Sequence, residues 1–146
     1  LTLPMARIER VERFDPTEPK AVTERLTVAG EYKASINHKR TGIRLRRGDR
    51  VSIRADGRIT MTPWGSNAVS GPDGMPNYGT YTNNIHQGAL VGRVGGSGQV
   101  FKVGSKHTFT AEKAGELELA IGINHSYANR NFPGNYEVII RVDRAE

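Results

Sequence analysis

The chain has 146 residues, of which 36% are hydrophobic and 17 are glycine, and it carries a formal net charge of +6 without any cysteine. This length suits one domain with its own core, and the high glycine content favours a turn-rich, all-β fold. The missing cysteines exclude disulfides and thiolate zinc sites, and no apolar run in the sequence is long enough to span a membrane.

Residues 1–22 differ from the rest of the chain, because charged residues are dense there and three prolines interrupt the pattern. Ile8, Val11 and Phe14 are out of phase for a strand, so a short helix is an open alternative. A linker from an upstream domain is an equally open interpretation. We predict an arm over residues 1–22 that packs on a sheet edge or on another copy of the chain, and a main domain over residues 23–146.

The remaining sequence alternates short apolar patterns with Gly-rich turns. These patterns predict strands at 23–29, 41–46, 51–55, 59–61, 89–94, 108–111, 116–123 and 135–142. The dipeptide Asp56-Gly57 predicts a tight hairpin between the third and fourth strands. No periodicity survives from 63 to 87, and so long a loop is usually functional or a cover. The set predicts a two-layer antiparallel β-sandwich of the jelly-roll type.

The positive charge is concentrated in one stretch, which contains Lys39, Arg40, Arg44, Arg46, Arg47 and Arg50. Arg44 and Arg46 alternate with Ile43 and Leu45, as the outward face of a strand does. No aromatic-rich strand accompanies the stretch to stack bases. We therefore favour a solvated face over a nucleic-acid site.

Patterns that indicate an enzyme are poor in this sequence. The four histidines show no metal-ligand spacing, and no Gly-x-Ser-x-Gly motif occurs. Glu116 and Glu118 would share one outward strand face, where a solvated face is favoured over a glycosidase pair. We predict a non-catalytic protein.

Asparagine and aromatic residues crowd two loops, one at 77–84 and one at 124–131. Amide groups and backbone carbonyls suit both hard cations and sugar hydroxyls, and an aromatic ring offers a flat apolar face to a pyranose. The alternative is that Asn and Gly only supply turn geometry. Composition alone leaves both interpretations open.

Four motifs follow one another in a fixed order between about 23 and 142. They read Gly48-Asp49-Arg50-Val51-Ser52-Ile53, Gly88-Ala89-Leu90-Val91-Gly92-Arg93-Val94-Gly95, Leu119-Ala120-Ile121-Gly122-Ile123-Asn124 and Pro133-Gly134-Asn135-Tyr136-Glu137-Val138-Ile139-Ile140. Their order resembles the calcium-dependent galactose-binding lectin family typified by the bacterial PA-I galactophilic lectin. The resemblance implies a non-catalytic lectin sandwich, a homo-oligomer, and an extracellular or cell-surface location.

The resemblance also implies where a sugar and its calcium ion would bind. In that family one calcium bridges the protein and two adjacent galactose hydroxyls. Matching on Gly134-Asn135-Tyr136 carries the calcium ligands onto Met61, Asn124, Ala128 and Asn131. It places the sugar contacts at Asn77, Tyr78, Asn124, His125 and Asn131. Asn124 stands where the family has an aspartate, so we expect calcium to bind weakly or not at all.

A rival interpretation keeps the sandwich and removes the binding site. In it the chain is a structural or assembly domain that has lost the sugar and calcium site and self-associates through residues 1–22. The missing carboxylate and the additional arm support this alternative.

Overall fold

A computed structural model describes residues 20–145, except 66, 78, 83, 97 and 128. Within them the strands are β1 (Ala21–Ala29), β2 (Lys39–Leu45), β3 (Arg50–Thr60), β4 (Val69–Ser70), β5 (Thr80–Thr82), β6 (Ile85–His86), β7 (Leu90–Val94), β8 (Phe101–Lys102), β9 (Lys106–Thr110), β10 (Gly115–Ile121) and β11 (Gly134–Asp143). Short 3-10 helices cover Thr62–Trp64 and His125–Tyr127. None of the helices in this described part is long and apolar enough to cross a membrane.

The strands form two main antiparallel sheets. One has five strands in the order β1-β11-β3-β4, with β9 also paired to β3, and the other has four in the order β2-β10-β7-β8. β5 and β6 form a two-stranded hairpin whose strands pair with neither main sheet. The all-β sandwich predicted from the sequence is confirmed.

The core lies between the two sheets because inward and outward residues alternate along the strands. Val138, Ile140 and Val142 of β11 are buried, and Leu119 and Ile121 of β10 join them in one apolar cluster. Burial of each such side chain contributes about 1.5–3 kcal/mol before the loss of conformational entropy is counted. This cluster fixes which face of each strand is available to solvent.

The hairpin predicted at Asp56-Gly57 is wrong. β3 runs without a break from Arg50 to Thr60 and pairs with β11 along its length, from Arg50 opposite Asp143 to Ile59 opposite Gly134. Gly57 has φ 117°, and a Cβ there would lie 2.5 Å from the carbonyl oxygen of Asn135. The glycine therefore lets two strands approach closely, and the long ladder overrides the local turn preference.

Substitution of Gly57 tests this explanation. We expect Gly57→Ala to lower the free energy of unfolding by about 1–3 kcal/mol, because it adds backbone strain and a clash with β11. Gly42→Ala is the matched control, since Gly42 has φ 79° but a Cβ there would meet open space. Chemical denaturation measures both variants, and equal losses would mean that close approach of the strands is not the cause.

Two segments also differ from the sequence prediction, one in where it begins and the other in the strands it contains. β1 begins at Ala21, which pairs with Asp143, so residues 21–22 belong to the sandwich rather than to the arm. The 63–87 stretch contains β4, β5 and β6. Residues 1–19 lie outside the described residues, and their packing on an edge or on another copy stays a prediction.

Part of the long stretch covers the outer face of the four-stranded sheet. Ile85 of β6 packs there with Val91, Ala120 and the partly buried Tyr81. The cover role predicted for this stretch agrees with that packing. It also brings the β5–β6 hairpin close to the segment that leads from β10 towards β11.

Candidate functional site

Two loops meet at the end of the five-stranded sheet where β3 ends and β11 begins. The hydroxyl of Thr62 donates a hydrogen bond to the carbonyl of Asn131 at 2.5 Å. The amide of Thr60 donates to the carbonyl of Pro133 at 2.8 Å. These bonds hold the segment after β3 against the segment before β11.

An aromatic pair stands where these loops meet. Trp64 ends the first 3-10 helix and Tyr127 ends the second, and their ring centroids are 4.8 Å apart at an interplanar angle of 47°. Both side chains are only partly buried. Two tilted apolar faces of this kind suit the C–H side of a sugar ring.

Trp64 is not among the site residues predicted from the sequence. It is the only tryptophan of the chain, and it follows a predicted strand within a stretch rich in glycine and proline. An isolated tryptophan in such a stretch, away from any alternating pattern, is the signal that could have identified it.

The side-chain amide of Asn124 is hydrogen-bonded within the protein, and its predicted sugar and calcium contacts stay predictions. Its Nδ2 donates to the carbonyl of Tyr81 at 2.9 Å, and its Oδ1 accepts a hydrogen bond from Nε2 of Gln87. Gln87 also donates to the carbonyl of Thr80 at 3.0 Å. The Asn124 amide thus fastens its loop to the β5–β6 hairpin.

The other predicted site residues are not all brought together. Asn131 and His125 are exposed on the loop before β11, near the aromatic pair. Asn77 is exposed in a turn of the long stretch, and no described contact joins it to the other predicted residues. Tyr78 and Ala128 lie outside the described residues.

Tyr136 of β11 is hydrogen-bonded to both ends of the 71–88 segment of the long stretch. Its buried hydroxyl oxygen lies 2.7 Å from the carbonyls of both Gly71 and Gly88, and 3.1 Å from the Ser70 hydroxyl. Burial raises the pKa of this phenol well above its ordinary value. Tyr136 therefore stays neutral and ties both ends of the 71–88 segment to β11.

Two of the predicted calcium ligands already accept hydrogen bonds within the protein. The Met61 carbonyl already accepts a hydrogen bond from the Trp64 amide at 2.9 Å, and Asn124 Oδ1 is occupied by Gln87. Phe132 is buried, and the Lys33 ammonium lies 5.4 Å from its ring centre. Among the described residues no group of three His, Cys, Asp or Glu side chains could hold a metal. Weak or absent calcium binding stays a prediction.

The two glutamates of β10 serve in ion pairs. Arg40 lies 2.7 Å from Glu116, and its hydrogen bonds hold the pKa of that carboxyl below its ordinary value. Arg93 lies 2.7 Å from Glu118. Glu118 is buried rather than solvated, contrary to the expectation for this face, because the Arg93 pair compensates its charge.

Comparison with known proteins finds similarity to solved structures. No family model matches the chain, and neither does any curated protein. Among similar solved structures is the N-terminal domain of EclA, described as a PllA-like lectin. It is 19% identical, with a TM-score of 0.64, over 84% of this chain and 98% of that chain. This likeness confirms, at the level of the fold, the predicted resemblance to a galactophilic-type lectin.

Proposed function

We propose that the chain is a non-catalytic carbohydrate-binding module that binds a neutral sugar between the loops at 61–64 and 124–131. The observation that carries the proposal is the tilted Trp64–Tyr127 pair at the junction of these loops. The lectin fold supports a module of this general kind.

The polar surroundings of the pair suit sugar hydroxyls. The Asn131 amide and the His125 imidazole are exposed on the same loop as Tyr127, and each offers both donor and acceptor capacity. A pyranose stacked on the rings would place hydroxyls within reach of these groups. In this proposal Asn77 and Tyr78 of the long stretch also contact the sugar.

The loops are fastened before any ligand arrives. The Thr62–Asn131 bond and the Asn124–Gln87 bond fix the segments that carry the rings. A site held in place in this way loses little conformational entropy on binding. Small neutral ligands can then bind without an ion to order the loops.

We extend the proposal to calcium and to location. Any calcium ion would bind at about millimolar affinity or weaker, because neutral oxygens that already accept hydrogen bonds must replace its hydration shell. Sugar binding should therefore persist after chelation. An extracellular or cell-surface location, where glycans are displayed, is consistent with this function.

Removing the rings tests the site. We expect Trp64→Ala with Tyr127→Ala to weaken binding of a neutral glycan by about tenfold or more, since both apolar faces are lost. Calorimetry with a glycan selected from an array, with and without EDTA, measures the effect.

The matched control keeps the ring faces. Trp64→Phe with Tyr127→Phe should retain binding within about threefold and a similar melting temperature. The proposal fails if no neutral glycan binds the unmodified chain at millimolar concentration, or if the double alanine variant binds as well as the unmodified chain.

A further inference from the structure

The outer face of the five-stranded sheet is open to solvent across the described residues. Along β11, Glu137, Ile139 and Arg141 point away from the core and are exposed. Arg54 of β3 and Lys106 of β9 are exposed on the same side. Alternate residues of four adjacent strands therefore form one continuous surface.

Three cations lie in one line across this face. The strand registers place Arg25 opposite Ile139, Ile139 opposite Arg54, and Arg54 opposite Lys106. We call Arg25, Arg54 and Lys106 the cation row. Neighbouring strands are about 5 Å apart, so the Cα atoms of Arg25 and Arg54 lie about 10 Å apart, with Ile139 between them.

Among the described residues the cation row forms no ion pair, in contrast to other cations of the chain. Arg141 pairs with Asp143 at 3.0 Å, and Arg144 pairs with Asp49 at 2.8 Å. Like charges directly opposite each other on adjacent strands are destabilising, and Arg54 and Lys106 are such a pair. An external anion would remove this repulsion.

A shallow groove of about 290 Å³ adjoins the row, and carboxylates contribute to its lining. Its polar lining comes from Arg25, Arg54, Asp56 and Glu137, with Ile139 as the exposed apolar residue. Glu137 accepts a hydrogen bond from the Thr27 hydroxyl at 2.9 Å, and both carboxylates can accept further ones. A ligand that brings both anionic groups and hydroxyl donors complements this lining.

We propose that this face binds an acidic polysaccharide. Its carboxylate or sulfate groups pair with the cation row, its hydroxyls donate to Asp56 and Glu137, and the C–H face of a sugar ring covers Ile139. A DNA duplex suits the face less well, because its phosphates would meet the two carboxylates and its deoxyriboses carry no free hydroxyl.

This surface is separate from the aromatic pair. Ile139 lies five residues along β11 from Gly134, where the loop before β11 ends, and five strand residues span about 17 Å. Loss of one activity therefore need not affect the other. Neutral-sugar binding serves as an internal control for the acidic-polysaccharide site.

The test compares two triple variants of the full chain with heparin and alginate as probes. We expect Arg25→Gln, Arg54→Gln and Lys106→Gln together to weaken binding by about tenfold or more at fixed salt and to flatten its salt dependence. The matched control, Arg44→Gln, Arg47→Gln and Lys113→Gln, removes the same charge from exposed positions elsewhere and should cost less than about threefold. Equal losses in both triples, or no binding of either probe, would overturn the proposal.

A second variant separates the polysaccharide from other polyanions. Asp56→Ala with Glu137→Ala removes two negative charges, so attraction by charge alone would tighten the binding of heparin. Because the proposal uses both carboxylates as hydroxyl acceptors, we expect weaker binding of heparin instead. Unchanged or tighter heparin binding, or a DNA duplex bound more tightly than either polysaccharide, would contradict it.

Discussion

Replacing Asp49 with alanine is expected to lower the free energy of unfolding by about 3–4 kcal/mol, the largest stability effect that we predict. Asp49 is fully buried. Its carboxylate accepts hydrogen bonds from the amides of Arg46 and Ala145 at 2.8 and 2.9 Å, and from the Arg144 guanidinium at 2.8 Å. The alanine variant would leave all three donors without this partner.

The same carboxylate joins two segments of the sandwich. It closes the turn between β2 and β3 and holds the chain after β11 against that turn. Burial alone would raise the pKa of Asp49, but the hydrogen bonds from Ala145, Arg46 and Arg144 outweigh it and lower the pKa. This contribution to stability is therefore present above the ordinary carboxyl pKa and is lost as the pH falls through the lowered value.

Denaturant unfolding at neutral pH measures the Asp49→Ala effect. The control is Asp143→Ala, which breaks the exposed pair with Arg141 and should change stability by about 0.5 kcal/mol or less. If Asp49→Ala costs no more than Asp143→Ala, the buried carboxylate does not hold the turn as we describe.

Stability is also expected to fall as the pH is lowered from about 6.5 to 4, because of His38. Burial, and next the charge of Arg93, lower the pKa of His38 to about 4, although Glu118 partly opposes this shift. The Nε2 atom of His38 is buried without a hydrogen-bond partner within the described part of the chain. The unfolded chain binds the proton more readily, so protonation favours unfolding by about 1–3 kcal/mol.

The contribution of His38 to the free energy of unfolding has a defined direction with pH. The contribution is complete above the unfolded pKa near 6.5 and lost as the pH falls through the folded value. Burial also lowers the pKa of His107, which adds to the effect in the same direction. The free energy of unfolding, measured at several pH values, should fall less steeply with decreasing pH in His38→Leu than in the unmodified chain. An unchanged slope in His38→Leu would exclude His38 as its main source.

Long strands can be predicted from the sequence because their burial alternates over many residues. The sequence predicts a strand at 135–142, and β11 covers Gly134–Asp143. Ile43 and Leu45 are buried, whereas Arg44 and Arg46 are exposed, as the alternation indicates. Short strands such as β4 and β6 have only two residues each, too few to show a period. Gly57 misleads the prediction because its reason, the approach of β11, lies far along the sequence.

The candidate site residues can be assigned to loops from the sequence, but their contacts with one another cannot. The sequence predicts that Asn124, His125 and Asn131 lie in the loop before the last strand, and the structure has them between β10 and β11. The partners of Asn124 are 37 and 43 residues away, so no local pattern reveals that its amide is already engaged. Pairing of Trp64 with Tyr127 depends on the same kind of long-range contact.

Because Trp64 is the only tryptophan, a titration that follows its indole reports directly on the proposed sugar site. The measurement records the indole Nε1–H resonance and the Tyr127 ring resonances while a panel of neutral monosaccharides and oligosaccharides is added in the presence of EDTA. We predict saturable shifts of both residues with at least one neutral sugar, at an affinity that chelation leaves unchanged. Saturable sugar binding that leaves Trp64 and Tyr127 unperturbed, or no saturable change with any sugar in the panel, would contradict the account.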